Sequence, residues 1–422
     1  MIDVKLLREK PEVIREALQK RHAVAPVDEI AGLDAQRRKL LSESEELRAR
    51  RNTVSKRISR MKNAEERQPL IEQMREVGDR IKALEGDLHR IEADLKAALL
   101  QVPNLVHPDT PVGADESENV VVRTEGVPRE LGFEPLPHWD LGPALGIIDF
   151  ERGVKLSGTR FYALKGAGAR LQRALITWML ELHIDGHDYT EVYPPFIVKE
   201  ACMWAAGQLP KFRDNLYHDV EDDVWLVPTA EIPLTNLHRD EILSADDLPV
   251  KYVAYTACFR REKMSAGKDT RGIKRGHQFD KVEMYKFTRP ERSDAELYAM
   301  LDDAEEVCRR LEIPYRILQL CSGDLGFSAA LSFDVEMWAP GCGEWLEVSS
   351  CSTCTDFQAR RANIRYRPRP GARPELVHTL NGSGLALPRV MISVMENYQQ
   401  EDGTIVVPEV LRPYMGGMEV IG

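Results

Sequence analysis

Leu33, Leu40, Leu47, Val54 and Met61 recur every seven residues, and a second apolar series, Val77, Ile81, Leu84, Leu88, Ile91, Leu95 and Ala98, advances in steps of four and three. Sustained heptads predict two long helices with coiled-coil seams. Between them lies KNAEERQP (62–69), whose closing proline is expected to disrupt the helix. Two helices of about thirty residues joined so tightly fold back as an antiparallel hairpin about 45 Å long, an arm that projects rather than forming a core. The heptads end near QVPNLVHPDTPVG (101–113), a linker of prolines and glycine. Beyond it the period changes. TRFYALKG, DVWLVPTAEI, VKYVAYTACF and KVEMYKF alternate as strands, and ARLQRALITWMLELH has a helical stripe through Leu171, Leu175, Trp178 and Leu182. Regular βαβ alternation is missing, as are GxGxxG and GxxxxGK[ST]. The pattern predicts an α+β protein: an N-terminal domain at 1–105 holding the hairpin (about 28–100), then a domain at 106–422 built on a mainly antiparallel sheet flanked by helices.

Composition narrows the class. The 422-residue chain is 43% hydrophobic, enough for a large core. Its N-terminus has no uninterrupted apolar stretch and no run approaches the roughly 20 residues that span a bilayer, so a cytoplasmic protein is expected. Seven scattered cysteines suit a reducing compartment. Cys351 and Cys354 form one CxxC, with Cys342 upstream; no second CxxC or HxxxH lies nearby to complete a tetrahedron, and buried thiols are the expectation. The net charge of −11 is segregated, +3 over residues 1–100 and −14 over the remaining 322. Arg48, Arg50, Arg51, Lys56, Arg57, Arg60 and Lys62 follow one another on the first arm helix with no acid between. A solvated face is one reading; a surface for a phosphate backbone is favoured, because the alternating signs of a neutral coiled-coil exterior are lost.

A second basic stretch, FRREKMSAGKDTRGIKRGHQFDKVEMYKF (259–287), holds nine Lys or Arg against four Asp or Glu. It reads as an outgoing strand, a loop containing Gly267 and Gly272, and a strand returning from about Lys274. Strand parity puts Arg260 with Glu262, and Arg275 with His277, Phe279, Lys281 and Glu283. If both sets face one side, a cleft results with cations, carboxylates and one aromatic ring, suited to a planar base beside phosphates. Plain solvation is the alternative. Further on, NGSGLALPRVMISVMENYQQEDG places a glycine-rich turn before a helix carrying Arg389, and EWLEVSSCS supplies Glu347 and Ser350, hard oxygen donors of the kind Mg²⁺ takes.

Taken together these segments resemble the seryl-tRNA synthetase family of class II aminoacyl-tRNA synthetases over essentially the whole chain. FRREKMSAGKDTRGIKRGHQFDKVE is similar to the family's motif 2, and LNGSGLALPRVMISVMENYQQEDGTIVVPEVLRPYM to motif 3 and the tail. PTAEIPLTN, VSSCSTCTDFQARR and the heptad arm are further signatures in the expected order, and ITWMLELHIDGHDYTEVYPPF resembles motif 1. The resemblance implies a class II catalytic domain that joins L-serine to tRNA using ATP and Mg²⁺. It implies that Arg260 and Arg389 act on the phosphates as catalytic cations. The ATP site would comprise Arg260, Arg261, Glu262, Arg275, Phe279, Glu347, Val348, Ser349, Ser350 and Arg389, with Phe279 stacking on adenine and Glu347 and Ser350 holding Mg²⁺. Thr229, Ala230, Glu231, Arg260, Glu283, Asn381 and Ser383 would bind serine. The partners implied are tRNA(Ser), with tRNA(Sec) as a further candidate, and a second copy of the chain. The arm run from Arg48 to Lys62 would contact the tRNA, and Lys263, Lys268, Arg271 and Lys274 would meet its acceptor end. Ala386 stands at the third small position of the motif 3 glycine pattern. The heptad arm sets the chain apart from the branch described as using zinc in the pocket.

Two other classes remain open at this level. A synthetase-like ligase that loads an amino acid onto a carrier protein typically lacks the arm. A non-catalytic coiled-coil nucleic-acid-binding protein has no need of Arg260, Glu347, Ser350 and Arg389 together.

Overall fold

The computed structural model describes residues 1–263 and 271–422, so Gly267 and Lys268 lie outside the described residues. The chain divides into two compact units: residues 2–19 with 23–103, and residue 1 with 20–22 and 104–422.

In the first unit, helices Val27–Arg60 and Ala64–Leu99 pair along the heptad seam, with Met74, Val77 and Ile81 buried against Leu47, Val54 and Ile58. The reversal is shorter than KNAEERQP suggests. The Asn63 side chain caps the second helix by accepting from the Glu65 N–H at 3.0 Å, and Pro69 sits inside that helix. A cap this strong, with Glu65 and Glu66 in the positive first turn, sets the start; Pro69 then forfeits one exposed bond to the Glu65 carbonyl. The first arm helix also buries two polar residues, Asp34 and Ser44. Asp34 accepts from Arg8 Nε at 2.8 Å and Arg38 Nε at 3.2 Å. Burial opposes its ionisation, but these guanidiniums and that of Arg37 outweigh it and hold the carboxyl below its usual range.

The second unit is built on eight strands: β1 (Val120–Glu125), β2 (Thr190–Glu191), β3 (Val250–Phe259), β4 (Gln278–Thr288), β5 (Tyr315–Gln319), β6 (Leu331–Ala339), β7 (Glu344–Thr355) and β8 (His378–Ala386). They pair in the order β1-β5-β6-β7-β8-β4-β3-β2, antiparallel except for β2 against β3. Helices Gly166–Glu181, Ser293–Arg310 and Leu387–Asn397 pack on this sheet, and Val253, Val282 and Met284 join Leu297, Met300 and Val390 in the main core.

Three local readings change. TRFYALKG contributes only the two-residue strand Ala163–Leu164. In DVWLVPTAEI only Trp225–Leu226 is strand; after Pro228 the Thr229 hydroxyl accepts from the Glu231 N–H at 3.2 Å, and a short helix, Glu231–Asn236, begins. NGSG is the interior of β8 rather than a turn. Its Gly382 is there for close approach, since a Cβ would lie 2.8 Å from Cys351 Sγ and 2.9 Å from Met300 Sδ. Cys351 and Cys354 are free, buried thiols, both pushed by burial up to about 12. No helix among the described residues is long and apolar enough to cross a membrane.

The seam is expected to carry the arm's stability. Leu84→Ala, at a fully buried seam position, should cost about 3 kcal/mol. Amides along Val27–Leu99 should then exchange about a hundredfold faster in the full chain, with those of β4 and β8 unchanged.

Candidate active site

The register of three strands assembles one face. Phe279 pairs with Cys258, Lys281 with Thr256 and Glu283 with Ala254, while Ser383 of β8 lies opposite Glu283. Phe279, Lys281 and Glu283 therefore project to the same side, and the ladder continues one step past β3 through the Arg260 N–H to the His277 carbonyl at 2.9 Å. On β7, Glu347 and Ser350 differ in parity and ought to face opposite ways. A bulge intervenes, with Glu347 opposite Glu336 and Ser349 opposite Val335, so the extra residue Val348 turns both onto one face.

These side chains line a cleft of about 530 Å³. Arg260, Arg275 and Arg389 share it with Glu231, Glu283 and Glu347, and Thr229, Glu262, Phe279, Val348, Ser350, Asn381 and Ser383 also reach it. Arg260 donates through Nε to the Pro228 carbonyl at 3.2 Å, and its guanidinium sits 5.1 Å from the Phe279 ring centroid. Glu262 takes a left-handed φ of 49°, and its carboxylate comes 3.6 Å from Arg275. Arg389, in the first turn of Leu387–Asn397, donates to the Glu347 carbonyl at 2.7 Å and approaches its carboxylate at 3.1 Å. Burial opposes ionisation of Glu347, yet Arg389 and Arg260 outweigh it and keep it below the usual carboxylate range.

At Glu231 the balance reverses. Glu231 accepts from Gln358 Nε2 at 2.6 Å and from Asn381 Nδ2 at 3.3 Å. Burial and the Glu283 charge push its carboxyl up to about 7 against the opposing pull of Lys281. Glu283 is itself buried in an ion pair with Lys281 at 2.5 Å.

Several expectations need correction. The return strand begins at Gln278, so Arg275 reaches the cleft from the preceding turn rather than by strand parity, and His277 hydrogen-bonds the Arg260 carbonyl and lies against Phe161. Arg261, Ala230 and Ser349 do not line the cleft. Arg261 extends over Tyr217, Ala230 is wholly buried, and the Ser349 hydroxyl donates to the Ser383 carbonyl at 2.6 Å. Lys274 lines the cleft, where it pairs with Glu344 and lies over Trp139, as does the exposed Arg271. Two residues carry more of the site than sequence reasoning gave them. Lys281 had the right parity but no role. Gln358 gave no local signal; it orients Glu231 while accepting from Tyr285 and Thr379 hydroxyls at 2.9 and 2.7 Å.

In the arm unit all seven basic residues from Arg48 to Lys62 are exposed. Arg48 meets Glu85 at 2.7 Å, and the other six carry no ion pair among the described residues.

Known proteins resemble the chain over its whole length. Residues 1–106 match the seryl-tRNA synthetase N-terminal domain, and residues 212–398 the tRNA synthetase class II core domain (G, H, P, S and T). A serine–tRNA ligase from Roseiflexus sp. (strain RS-1) is 64% identical over 423 residues, covering 100% of this chain and 99% of that protein. One from Thermomicrobium roseum is 61% identical over 422 residues, covering 100% and 95%. Among solved structures, seryl-tRNA synthetase from Pyrococcus horikoshii complexed with ATP superimposes with a TM-score of 0.92 at 40% identity, covering 100% and 99% of the two chains. The Naegleria fowleri cytoplasmic enzyme in complex with AMP gives 0.88 at 33% identity, covering 100% and 98%.

The raised carboxyl of Glu231 has a definite sign. A folded-state acid held above its usual value favours the native state at low pH, and that contribution is lost as pH rises through about 7. Glu231→Gln should remove this slope, so thermal melts between about pH 5 and pH 8 should decline less in the variant than in the native protein.

Proposed function

The chain belongs to the seryl-tRNA synthetase family, and on that premise we propose that this cleft activates L-serine with ATP to seryl-adenylate and that the arm presents tRNA(Ser) for acylation. The observation that carries the reading is the make-up of the cleft: three arginines with Phe279, and the buried carboxylates Glu231 and Glu283 with Asn381 and Ser383, line one cavity. The serine carboxylate oxygen attacks the α-phosphorus as its bond to the bridging oxygen breaks and pyrophosphate leaves. A terminal ribose hydroxyl of the tRNA then attacks the seryl carbonyl, and AMP leaves.

Neither step calls for a protein nucleophile. Arg260 is placed to orient the serine carboxylate and α-phosphate and to meet the growing charge, while Arg275 and Arg389 hold the outer phosphates. The purine stacks on Phe279. Glu231 in its charged form suits an ammonium group, and Glu283 and Ser383, facing each other across two strands, read the hydroxyl. Alanine or glycine would leave those buried groups unsatisfied, whereas threonine must be excluded by shape. Hard oxygens brought to one face by the bulge, with one Glu347 oxygen turned to Arg389, fit a cation that binds through one or two protein donors. Glu347 and Ser350 would hold Mg²⁺, which when bound supplies positive charge beside the phosphates. A homodimer through the segment resembling motif 1 is part of the same reading, supported by the family.

Arg260→Ala should lower serine-dependent ATP–pyrophosphate exchange on the order of a hundredfold or more with the fold intact by circular dichroism. Unchanged exchange would remove Arg260 from this role. Replacing Arg50, Arg51, Arg57 and Arg60 together by alanine should raise the KM for tRNA at least about tenfold and flatten its salt dependence. Exchange in that variant should stay native, whereas equal loss of both activities would assign the run a folding role.

A further inference from the structure

One buried cluster lies outside the cleft and has no part in the chemistry above. His138 and Glu396 are both fully buried. Glu396, on the helix Leu387–Asn397, accepts from the His138 backbone N–H at 2.9 Å and lies 2.9 Å from His138 Nδ1. It also accepts from the Cys342 N–H at 2.9 Å and the Cys342 thiol at 3.1 Å. The remaining ring nitrogen, His138 Nε2, accepts from the backbone N–H of Ile273 at 3.1 Å. Every donor in this group thus has an acceptor within it, which marks a closed hydrogen-bond knot rather than an ion cradle.

Ile273 belongs to the segment that leads from the basic loop into β4. Its side chain is buried. Its neighbour Gly272 has φ of +72°, and a Cβ there would fall 2.0 Å from His138 Nε2. Arg271 lies over the Trp139 ring at 4.9 Å and Lys274 over the same ring at 5.4 Å, the latter also pairing with Glu344. Four consecutive residues are therefore seated on His138 and Trp139, and the next one is Arg275, which enters the cleft.

We propose that His138 is a positioning residue for adenylate formation: anchored by Glu396, it grips the backbone at Gly272–Ile273 and so fixes where Arg275 meets the nucleotide. Only one tautomer does this, with the proton on Nδ1 for Glu396 and a bare Nε2 for Ile273. Burial keeps the imidazole below its usual range, against the pull of Glu396, and so favours that neutral form. The same helix that carries Arg389 at its start carries Glu396 near its end, so a single rigid element references two of the cleft's three arginines.

The inference rests on the activation reading, and the test separates the two. Serine-dependent ATP–pyrophosphate exchange would be measured for native protein, His138→Phe, His138→Gln and Gly272→Ala. Phenylalanine keeps the ring but lacks an acceptor, glutamine restores an acceptor at similar reach, and Gly272→Ala retains both His138 and Glu396 while its Cβ forces the ring and the gripped backbone apart. His138→Phe and Gly272→Ala should each lower kcat/KM for ATP by ten- to a hundredfold, with KM for serine within about twofold of native, and His138→Gln should recover most of the loss. Native ATP kinetics in Gly272→Ala would overturn the proposal even if His138→Phe fails to fold. A His138→Gln variant as impaired as His138→Phe, or a loss shared equally between ATP and serine, would do the same. Native protein without serine-dependent exchange would instead overturn the activation reading itself.

Discussion

The register between β4 and β8 is the constraint on which the cleft depends. Ser383 stands opposite Glu283 and Asn381 opposite Tyr285. Because side chains alternate with a period of two, a slip of one residue would drive Lys281 and Glu283 into the core and bring Val282 and Met284 out to the ligand. The apolar parity of β4 prevents this by packing against Leu297, Met300 and Val390. The hydrophobic core is thus also what orients the charged face. The same logic holds on β7, where a one-residue bulge supplies the exception that lets Glu347 and Ser350 act together.

Charge in the cleft is arranged in pairs that are left partly unbalanced. Arg389 engages Glu347, and Lys281 engages Glu283. Among the described residues Glu231 is hydrogen-bonded by neutral side-chain amides, those of Gln358 and Asn381. A buried carboxyl held by amides and repelled by a neighbouring acid is poised to take a cation. The free protein keeps it near neutrality by raising its affinity for a proton, so a ligand ammonium would compete with that proton.

Much of this was legible in the chain because it follows from local periodicity. Heptads from Leu33 to Ala98 announce the arm, and alternation from Phe279 to Glu283 places three residues on one face. What escaped depends on contacts distant in sequence or on backbone irregularity. Gln358 lies 127 residues from Glu231, and nothing in its neighbours marks it. The bulge at Val348 leaves no compositional trace. Pro69 and NGSG misled because proline and glycine were read as turn signals; a strong cap at Asn63 and tight packing at Gly382 decided otherwise. The acid that pairs with Lys274 lies seventy positions away and likewise leaves no local signal.

The ion pairs between the two arm helices have a consequence for length. Apolar heptads alone would let two helices slide past each other by one repeat with little penalty, a shift of about 10 Å. Arg48 with Glu85 and Arg80 with Glu43 bridge the two helices, and a slip of one repeat would part both pairs. Together with the three-residue reversal at 61–63 these pairs favour one alignment. With that alignment held, the unpaired cations from Arg50 to Lys62 sit a set number of helical turns from the root, and the arm works as a ruler as well as a surface.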